Sequence, residues 1–301
     1  MNSCSNSTPF PRVIVVLCYR RTEHLKKVLK SLENALLIDT FHLVFVVQDP
    51  IESVLNIINS SRLRKRTILE TKGMNYVSAA QAINGNLAAG LRYAFETLGS
   101  SLTIVIEDDI VVSQDALCFF VQAYKLNFSR RGFRGINGFS ELSDLSLNQN
   151  KISRLKYGLG WGWAIPRQTY YNLQRYWSGN ENDHWDFIFE PYIRTGFVIN
   201  PRRSRIVNIG FDESATHTSM NKDLSSRIET SFFSNVANHS CDLSFESSSF
   251  LWMGNDLSIE QKNVFRQIVI SLAAKLLFLI YVLDCGNRRV YHRIKRMLSS
   301  L

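Results

Sequence analysis

The sequence predicts an α/β fold in which a mostly parallel sheet is flanked by helices. Three short apolar runs rich in β-branched residues, at 13–18, 42–47 and 102–106, are typical of strands buried on both faces. The segments between these runs carry apolar residues at helical spacing, and strands that alternate with helices indicate a doubly wound sheet. Apolar residues make up 45% and charged residues 20%, which suits a chain with a real core and excludes a wholly disordered protein.

The N-terminal part follows this pattern element by element. The strand at 13–18 precedes a helix that Thr22 can cap. The strand at 42–47 ends just before residues 48–50 (QDP), and residues 67–69 predict a short third strand. The first helix has one apolar face, which consists of Leu25, Val28, Leu29 and Leu32.

The pattern continues to about residue 133 and then weakens. Residues 79–98 and 114–126 predict helices, and the strand at 102–106 between them runs directly into three acidic residues. Farther along, the expected features are strand-like pieces at 134–139 and 196–200, a Gly- and Trp-rich segment at 158–163, and a polar loop at 211–257.

The basic charge is concentrated at the C-terminal end. The net charge is +9, and residues 261–301 contain eight basic residues against one acid, Asp284. A basic tail beside an apolar run favours a membrane surface over nucleic acid as the partner. We therefore expect three parts, a disordered N-terminus at 1–11, a folded α/β domain at 12–257, and a basic amphipathic segment at 258–301.

A C-terminal amphipathic helix is expected at about 260–284. Within its mostly apolar sequence Gln267, Ser271 and Lys275 recur every four residues, which places them on one stripe. Arg266 and Lys275 are costly inside a spanning helix, so we expect a helix that lies in the interface of an anionic membrane. Packing against the body or a second subunit, and a spanning helix, are the alternatives.

Cysteine usage and the first residues indicate the compartment. The five cysteines are an odd number without Cys-x-x-Cys spacing, which argues against a disulfide framework or a zinc site. No apolar signal segment is evident in residues 1–11. We therefore expect a cytoplasmic protein, peripheral at the inner face of the membrane.

The strongest chemical signal is the acidic cluster Glu107-Asp108-Asp109 at the end of a predicted strand. Open α/β sheets bind ligands at the carboxyl ends of their strands. Three adjacent acids repel one another, and their oxygen ligands suit Mn²⁺ or Mg²⁺, which complete their shells with phosphate oxygens. The alternative is a solvated acidic turn.

Four motifs in the same order as in a known family carry a resemblance. They are Cys18-Tyr19-Arg20, Gln48-Asp49, Glu107-Asp108-Asp109 and Gly158-Leu159-Gly160-Trp161. With these motifs the chain resembles the GT-A-fold (Rossmann-like) nucleotide-sugar glycosyltransferases. More narrowly it is similar to the inverting family of the Golgi N-acetylglucosaminyltransferase I, and the likeness covers about residues 12–217.

The resemblance implies roles for the matched residues. Arg20 and Asp49 would meet the nucleotide base, Glu107 and Asp108 would face the ribose and the sugar, and Asp109 would bind manganese. The list of donor-binding candidates is completed by Asn84, which stands where the family has a base-contacting His.

The general base is implied by His184-Trp185-Asp186, where the family has Trp-Asp-Asp. The second acid of that motif is Phe187 in this chain. Asp186 is the candidate base and Asp183 the alternative, because on a helix these two residues share a face. An acid that complements a helix dipole is the other interpretation of Asp186.

The candidates for binding the acceptor and the diphosphate also have structural interpretations. If residues 159–165 form a strand, Trp161 and Trp163 face opposite sides, and one of them lines the acceptor pocket or packs in the core. Arg205 and His217 are expected near the diphosphate, with surface charge and an exposed loop histidine as the alternatives.

Together these observations predict a Mn²⁺- or Mg²⁺-dependent glycosyltransferase for a hexosyl or N-acetylhexosaminyl group. The donor is expected to be a UDP-sugar, and the acceptor a glycan or lipid-linked hydroxyl in surface glycan synthesis, with no nucleic acid partner. A metal-dependent nucleotidyltransferase and an inactive membrane-associated scaffold on the same fold are the alternatives.

Overall fold

The computed structural model describes residues 11–71, 76–140, 151–156 and 158–210, and the backbone of residues 244–251. His217, residues 1–10 and the expected C-terminal helix lie outside the described residues. In the described part of the chain, no helix is both long and apolar enough to cross a membrane.

The strands follow the predicted apolar runs and add several that the sequence analysis did not identify. In chain order they are β1 Arg12–Cys18, β2 His42–Gln48, β3 Arg66–Thr71, β4 Leu102–Glu107, β5 Ile110–Val112, β6 Phe133–Asn137, β7 Lys151–Leu155, β8 Trp163–Pro166, β9 Phe197–Pro201, β10 Ile206–Asn208 and β11 Ser244–Leu251.

Nine of these strands form one sheet in the order β11-β7-β9-β6-β8-β4-β1-β2-β3. The half formed by β4, β1, β2 and β3 is parallel throughout. Beyond β4 the sheet is mixed, because β8 runs antiparallel to both β4 and β6. The remaining two strands, β5 and β10, form a separate antiparallel pair.

Helices cover both faces of the sheet. Alternate residues of β1 belong to different apolar clusters, with Ile14 and Val16 on one face and Val13 and Val15 on the other. Such alternation is expected of a strand buried on both sides. The α-helices are α1 Thr22–Glu33, α2 Glu52–Ser60, α3 Ala79–Arg92, α4 Ala116–Asn127, α5 Arg167–Leu173 and α6 Trp185–Arg194.

The predicted α/β class with its mainly parallel sheet is confirmed, with corrections at single elements. Thr22 is the first residue of α1 and not its cap, because the cap position is Arg21 and no side chain caps there. The predicted helix at 79–98 is α3 followed by a π-helical turn, Tyr93–Thr97. The expected loop at 211–257 contains β11, which pairs with the distant β7.

Candidate active site

The carboxyl ends of the parallel strands bring the acidic cluster to one edge of the sheet. The register between β1 and β4 pairs Leu17 with Glu107, so the two strands end side by side. The backbone N–H of Tyr19, just after β1, donates a 2.9 Å hydrogen bond to Oδ2 of Asp108. The acidic cluster therefore lies beside the end of the first strand.

Asp109 is enclosed in the turn between β4 and β5. It is only 5% exposed, and its Oδ2 is paired with the guanidinium of Arg21. Its carbonyl accepts a 2.9 Å hydrogen bond from Ile209 N–H. Gly210 lies so close that a Cβ at this position would collide with the carboxylate, and this approach therefore requires glycine.

The second oxygen of the Asp109 carboxylate makes this residue a suitable metal ligand. Oδ1 is buried and has no hydrogen-bond partner among the described residues. A buried carboxylate oxygen without a partner suits a hard divalent cation. The described residues hold no group of three His, Cys, Asp or Glu side chains arranged around one ion. Among the described residues, Asp109 is therefore the candidate metal ligand.

Burial raises the pKa values of all three acids, and the charges of neighbouring acids add to the rise for Glu107 and Asp108. Burial and the charges of Asp109 and Asp108 raise the pKa of Glu107 to about 7. Burial raises the pKa of Asp108 to about 6, although the hydrogen bond from Tyr19 opposes the change. Burial also raises the pKa of Asp109, against the charge of Arg21. This is the electrostatic environment that a bound cation relieves.

Two basic residues at the start of α1 were missed by the sequence analysis. Arg21 pairs with Asp109, and the charge of His24 also acts on that carboxylate. The sequence feature that could have identified them is their position at a helix N-terminus, shortly after the end of a strand. The predicted cation Arg20 is exposed, and its guanidinium lies 5.0 Å from the ring centre of Tyr19.

The predicted base-binding residues lie at the ends of β2 and β3 and on α3. Asp49 is exposed, has a left-handed φ of 43°, and donates its backbone N–H to Thr71 O at 3.2 Å. Beside it the amide of Asn86 donates to Gln48 Oε1 and accepts from Thr71 Oγ1, both at 2.8 Å. This network holds the end of β2 rigidly, and contact of Asp49 with a base stays a prediction.

Asn84 is fully buried and ties α3 to the loop that precedes α6. Its Nδ2 donates to the carbonyl of Glu181 at 2.9 Å and to that of Asp183 at 2.5 Å. These bonds give Asn84 a positioning role that the sequence analysis did not foresee. Its contact with a nucleotide base stays a prediction.

The candidate bases lie at the start of α6. The helix begins at Trp185, so Asp183 precedes it, and the expected shared helical face with Asp186 is wrong. Oδ1 of Asp186 accepts from the backbone N–H of Phe187 at 2.7 Å and lies 2.8 Å from Nδ1 of His184. Asp186 is thus an acid in the first turn of a helix, and it is also paired with a histidine.

His184 connects Asp186 to the acidic cluster. Burial lowers the pKa of His184, but the hydrogen bond and charge of Asp186 and the charge of Glu107 outweigh it, so the pKa is raised. The same interaction opposes the rise in the pKa of Glu107. The charges of His184 and Glu107 therefore act on each other, and His184 joins the candidate site.

The two tryptophans lie on opposite faces of the sheet. Trp163 is 2% exposed and packs against Trp185, with ring centres 4.8 Å apart, so it is a core residue. Trp161 is half-buried and packs on Phe139 in the other apolar cluster, also at 4.8 Å. The strand expected at 159–165 begins only at Trp163. An acceptor-binding role for Trp161 stays a prediction.

Arg205 lies in a buried ion pair and not on a strand surface. It is 3% exposed, and its Nε lies 2.8 Å from Oδ2 of Asp115, at the start of α4. Its Nη1 donates to the carbonyl of Arg203 at 2.8 Å. The pairing fastens the segment between β9 and β10 to α4, and its contact with a phosphate stays a prediction.

Comparison with known proteins identifies the fold. No protein-family model matches this sequence, and no curated protein is similar to it in sequence. The structure resembles the mannosyltransferase PcManGT from Pyrobaculum calidifontis in complex with GDP-Man and Mn²⁺, with 14% identity and a TM-score of 0.50. That match covers 69% of this chain and 59% of the mannosyltransferase.

Two structures of TarS from S. aureus are similar as well. Residues 1–349 of TarS match with 11% identity and a TM-score of 0.52, covering 97% of this chain and 88% of that one. A longer TarS chain matches with 10% identity and a TM-score of 0.50, covering 74% of this chain and 43% of that one. The fold is GT-A-like. Sequence identities this low show the GT-A-like fold and not the reaction. The match with this chain spans about three-fifths of the mannosyltransferase's length.

Proposed function

We propose that the protein is a divalent-metal-dependent glycosyltransferase that moves a sugar from a nucleotide sugar to a hydroxyl acceptor with inversion. The observation that carries the proposal is the buried acid cluster at the carboxyl end of β4. In it Asp109 keeps one unpartnered oxygen beside the end of β1 in a GT-A-like sheet. This edge is where open α/β sheets bind nucleotides.

Asp109 is the proposed metal ligand, with oxygens of the donor diphosphate completing the shell. A bound Mn²⁺ or Mg²⁺ would supply charge stabilisation for the departing diphosphate. PcManGT, whose structure holds GDP-Man and Mn²⁺, supports a nucleotide-sugar donor and a metal. We propose a UDP-sugar and a hexosyl or N-acetylhexosaminyl group on the strength of the motif resemblance.

The protein's own groups have separate proposed tasks. Arg20, Asp49 and Asn84 would recognise the nucleoside, while Glu107 and Asp108 would face the ribose and sugar. The start of α6 would take the proton from the acceptor hydroxyl as its oxygen attacks the anomeric carbon, because the charges of His184 and Glu107 act on each other and Asp186 is hydrogen-bonded to His184.

The acceptor is proposed to be a glycan or lipid-linked hydroxyl at an anionic membrane, with the protein peripheral on the cytoplasmic side. The support is the basic, periodically apolar sequence of residues 258–301. That segment would hold the enzyme beside its acceptor without a spanning helix.

A donor screen tests the proposed function. The full chain would be incubated with UDP- and GDP-sugars, with Mn²⁺, Mg²⁺ or EDTA, and released nucleoside diphosphate, sugar and pyrophosphate would be measured. Metal-dependent release of nucleoside diphosphate supports a glycosyltransferase. Inversion is tested by NMR, which shows whether the anomeric configuration of the product is opposite to that of the donor. Release of pyrophosphate from UTP or GTP in a parallel incubation with a sugar 1-phosphate would instead indicate a nucleotidyltransferase, and no nucleotide binding by calorimetry would indicate a scaffold.

A further inference from the structure

We infer that His184 takes the proton from the acceptor hydroxyl, and that Asp186 is the residue that positions it. This inference rests on the proposed function and changes the expectation from the sequence, in which Asp186 itself was the base. It is carried by the hydrogen bond between the two side chains and by the way their segment is held.

The hydrogen bond defines which ring nitrogen is available. Nδ1 of His184 lies 2.8 Å from Oδ1 of Asp186. An ionised carboxylate only accepts, so Nδ1 carries a proton, and in the neutral ring Nε2 carries the lone pair. Nε2 has no hydrogen-bond partner among the residues that the structure describes. The imidazole thus presents a proton acceptor, while the carboxylate is engaged by the ring and by Phe187 N–H.

The chain around His184 is held on both sides. On the N-terminal side the amide of Asn84 donates a hydrogen bond to the carbonyl of Asp183. In the same loop Gly179, with φ of 91°, packs directly on Ala88 of α3. On the C-terminal side the indole of Trp185 packs on Trp163. A catalytic group needs this kind of fixed support, because small displacements reduce the rate strongly.

The charges of two carboxylates act on the imidazole, and one of them, Asp186, is hydrogen-bonded to it. Asp186 lies on its own helix, and Glu107 lies at the end of β4, where the donor is proposed to bind. Asp183 precedes it in the same loop, and the aromatic neighbours Trp185 and Trp163 are uncharged. The charge of Asp186, and that of Glu107 when it is ionised, stabilise the imidazolium that forms when the proton is accepted.

In the proposed step, proton transfer from the acceptor accompanies transfer of the sugar. The acceptor O–H bond breaks and its proton moves to Nε2 of His184, while the oxygen forms a bond to the anomeric carbon. The bond from that carbon to the diphosphate oxygen breaks, and the nucleoside diphosphate leaves with the electron pair. The imidazolium then returns its proton to solvent.

Turnover by full-length His184→Gln and Asp186→Asn tests the assignment. We expect His184→Gln to lose about 10²–10⁴-fold in turnover, the usual effect of removing a general base, with calorimetric donor affinity unchanged. Asp186→Asn should lose less, because its amide oxygen can still accept from Nδ1. The acid limb of its rate profile should move to lower pH, since a charge that favours the imidazolium is removed.

Two further variants keep the test decisive. Added imidazole should restore part of the turnover of His184→Gly, an effect that a purely structural role would not produce. His42→Gln removes a histidine on β2 that bonds Thr67 at 2.9 Å, and it should behave as the wild type.

The inference is overturned if His184→Gln turns over normally, or if Asp186→Asn loses all turnover while His184→Gly gains nothing from imidazole. Failure of the proposed function looks different. In that case the wild-type chain neither binds nor turns over any nucleotide sugar.

Discussion

The guanidinium of Arg21 and the carboxylate of Asp109 form an ion pair where β1 and β4 end. One oxygen of Asp109 is occupied by this cation, and the other is buried without a partner in the described part of the chain. A single carboxylate therefore has room for one protein cation and one metal ion. This division of its two oxygens underlies the first two predictions.

Replacing Asp109 by alanine should abolish metal-dependent donor binding. The described residues hold no group of three ligands that would replace it, and a donor diphosphate alone binds a divalent ion without fixing it to the protein. Calorimetry with UDP and Mn²⁺ measures the effect, and Asp39→Ala, at an exposed turn, is the control. Unchanged affinity in Asp109→Ala would remove this residue from the metal site.

Arg21→Gln should destabilise the metal-free protein by about 1–3 kcal/mol, because it leaves a buried carboxylate without its cation. The Arg21 side chain is 24% exposed, so the loss should fall below that of a fully buried pair. Mn²⁺ should stabilise this variant more than the wild type, since the competing positive charge is gone. Urea unfolding with and without Mn²⁺ measures both effects.

Arg20→Gln is the matched control for that experiment, because the neighbouring side chain is exposed. If Arg20→Gln is as destabilising as Arg21→Gln, the ion pair with Asp109 is not the cause.

Glu107 should make the metal-free protein less stable as the pH rises. Its pKa is raised from 4.5 to about 7, so the folded state holds the proton more tightly than the unfolded state. Its contribution is fully favourable below about pH 4.5 and is lost as the pH approaches 7. In Glu107→Gln the free energy of unfolding should not fall in this way. The stability of the variant relative to the wild type should therefore increase as the pH rises from about 4.5 to about 7.

Urea midpoints measured across that range in EDTA test the sign. Glu52→Gln, an exposed acid at the start of α2, is the control and should follow the wild-type curve. A Glu107→Gln curve parallel to the wild type would show that this carboxyl keeps its ordinary pKa.

Asn84→Ala should lower turnover and reduce stability by about 1–2 kcal/mol, because two hydrogen bonds to the loop before His184 are lost. If Asn84 instead contacts the nucleotide base, donor affinity should fall while turnover at saturation persists. Steady-state kinetics and donor calorimetry separate the two roles. Gln81→Ala, which removes an exposed 3.1 Å bond to Asn180 of the same loop, should have a smaller effect.

The basic C-terminal sequence should bind anionic membranes. Full-length protein should sediment with anionic vesicles at low salt, and a chain truncated after Asn255 should bind them more weakly. The effect should decrease with added salt, because the attraction is electrostatic. Neutral vesicles are the control, and full-length protein that stays in the supernatant would favour packing of the segment against protein.

Local patterns made most of the α/β half of the sheet predictable. The apolar runs that became β1, β2 and β4 signal buried strands by themselves, because burial on both faces demands continuous apolar sequence. The acidic cluster could be singled out in the same way as a candidate site, since it follows one of these runs and strand ends are where such sheets bind ligands. Each of these inferences needs only residues that are close in sequence.

The tertiary structure alone decided which side chains meet. The sequence could not tell that Arg21, and not its neighbour Arg20, pairs with Asp109, or that Arg205 is buried against Asp115. These contacts join residues far apart in the chain, and they depend on helix packing and strand order. No local propensity encodes either of these, so the partners of the charged groups became visible only when the chain was folded.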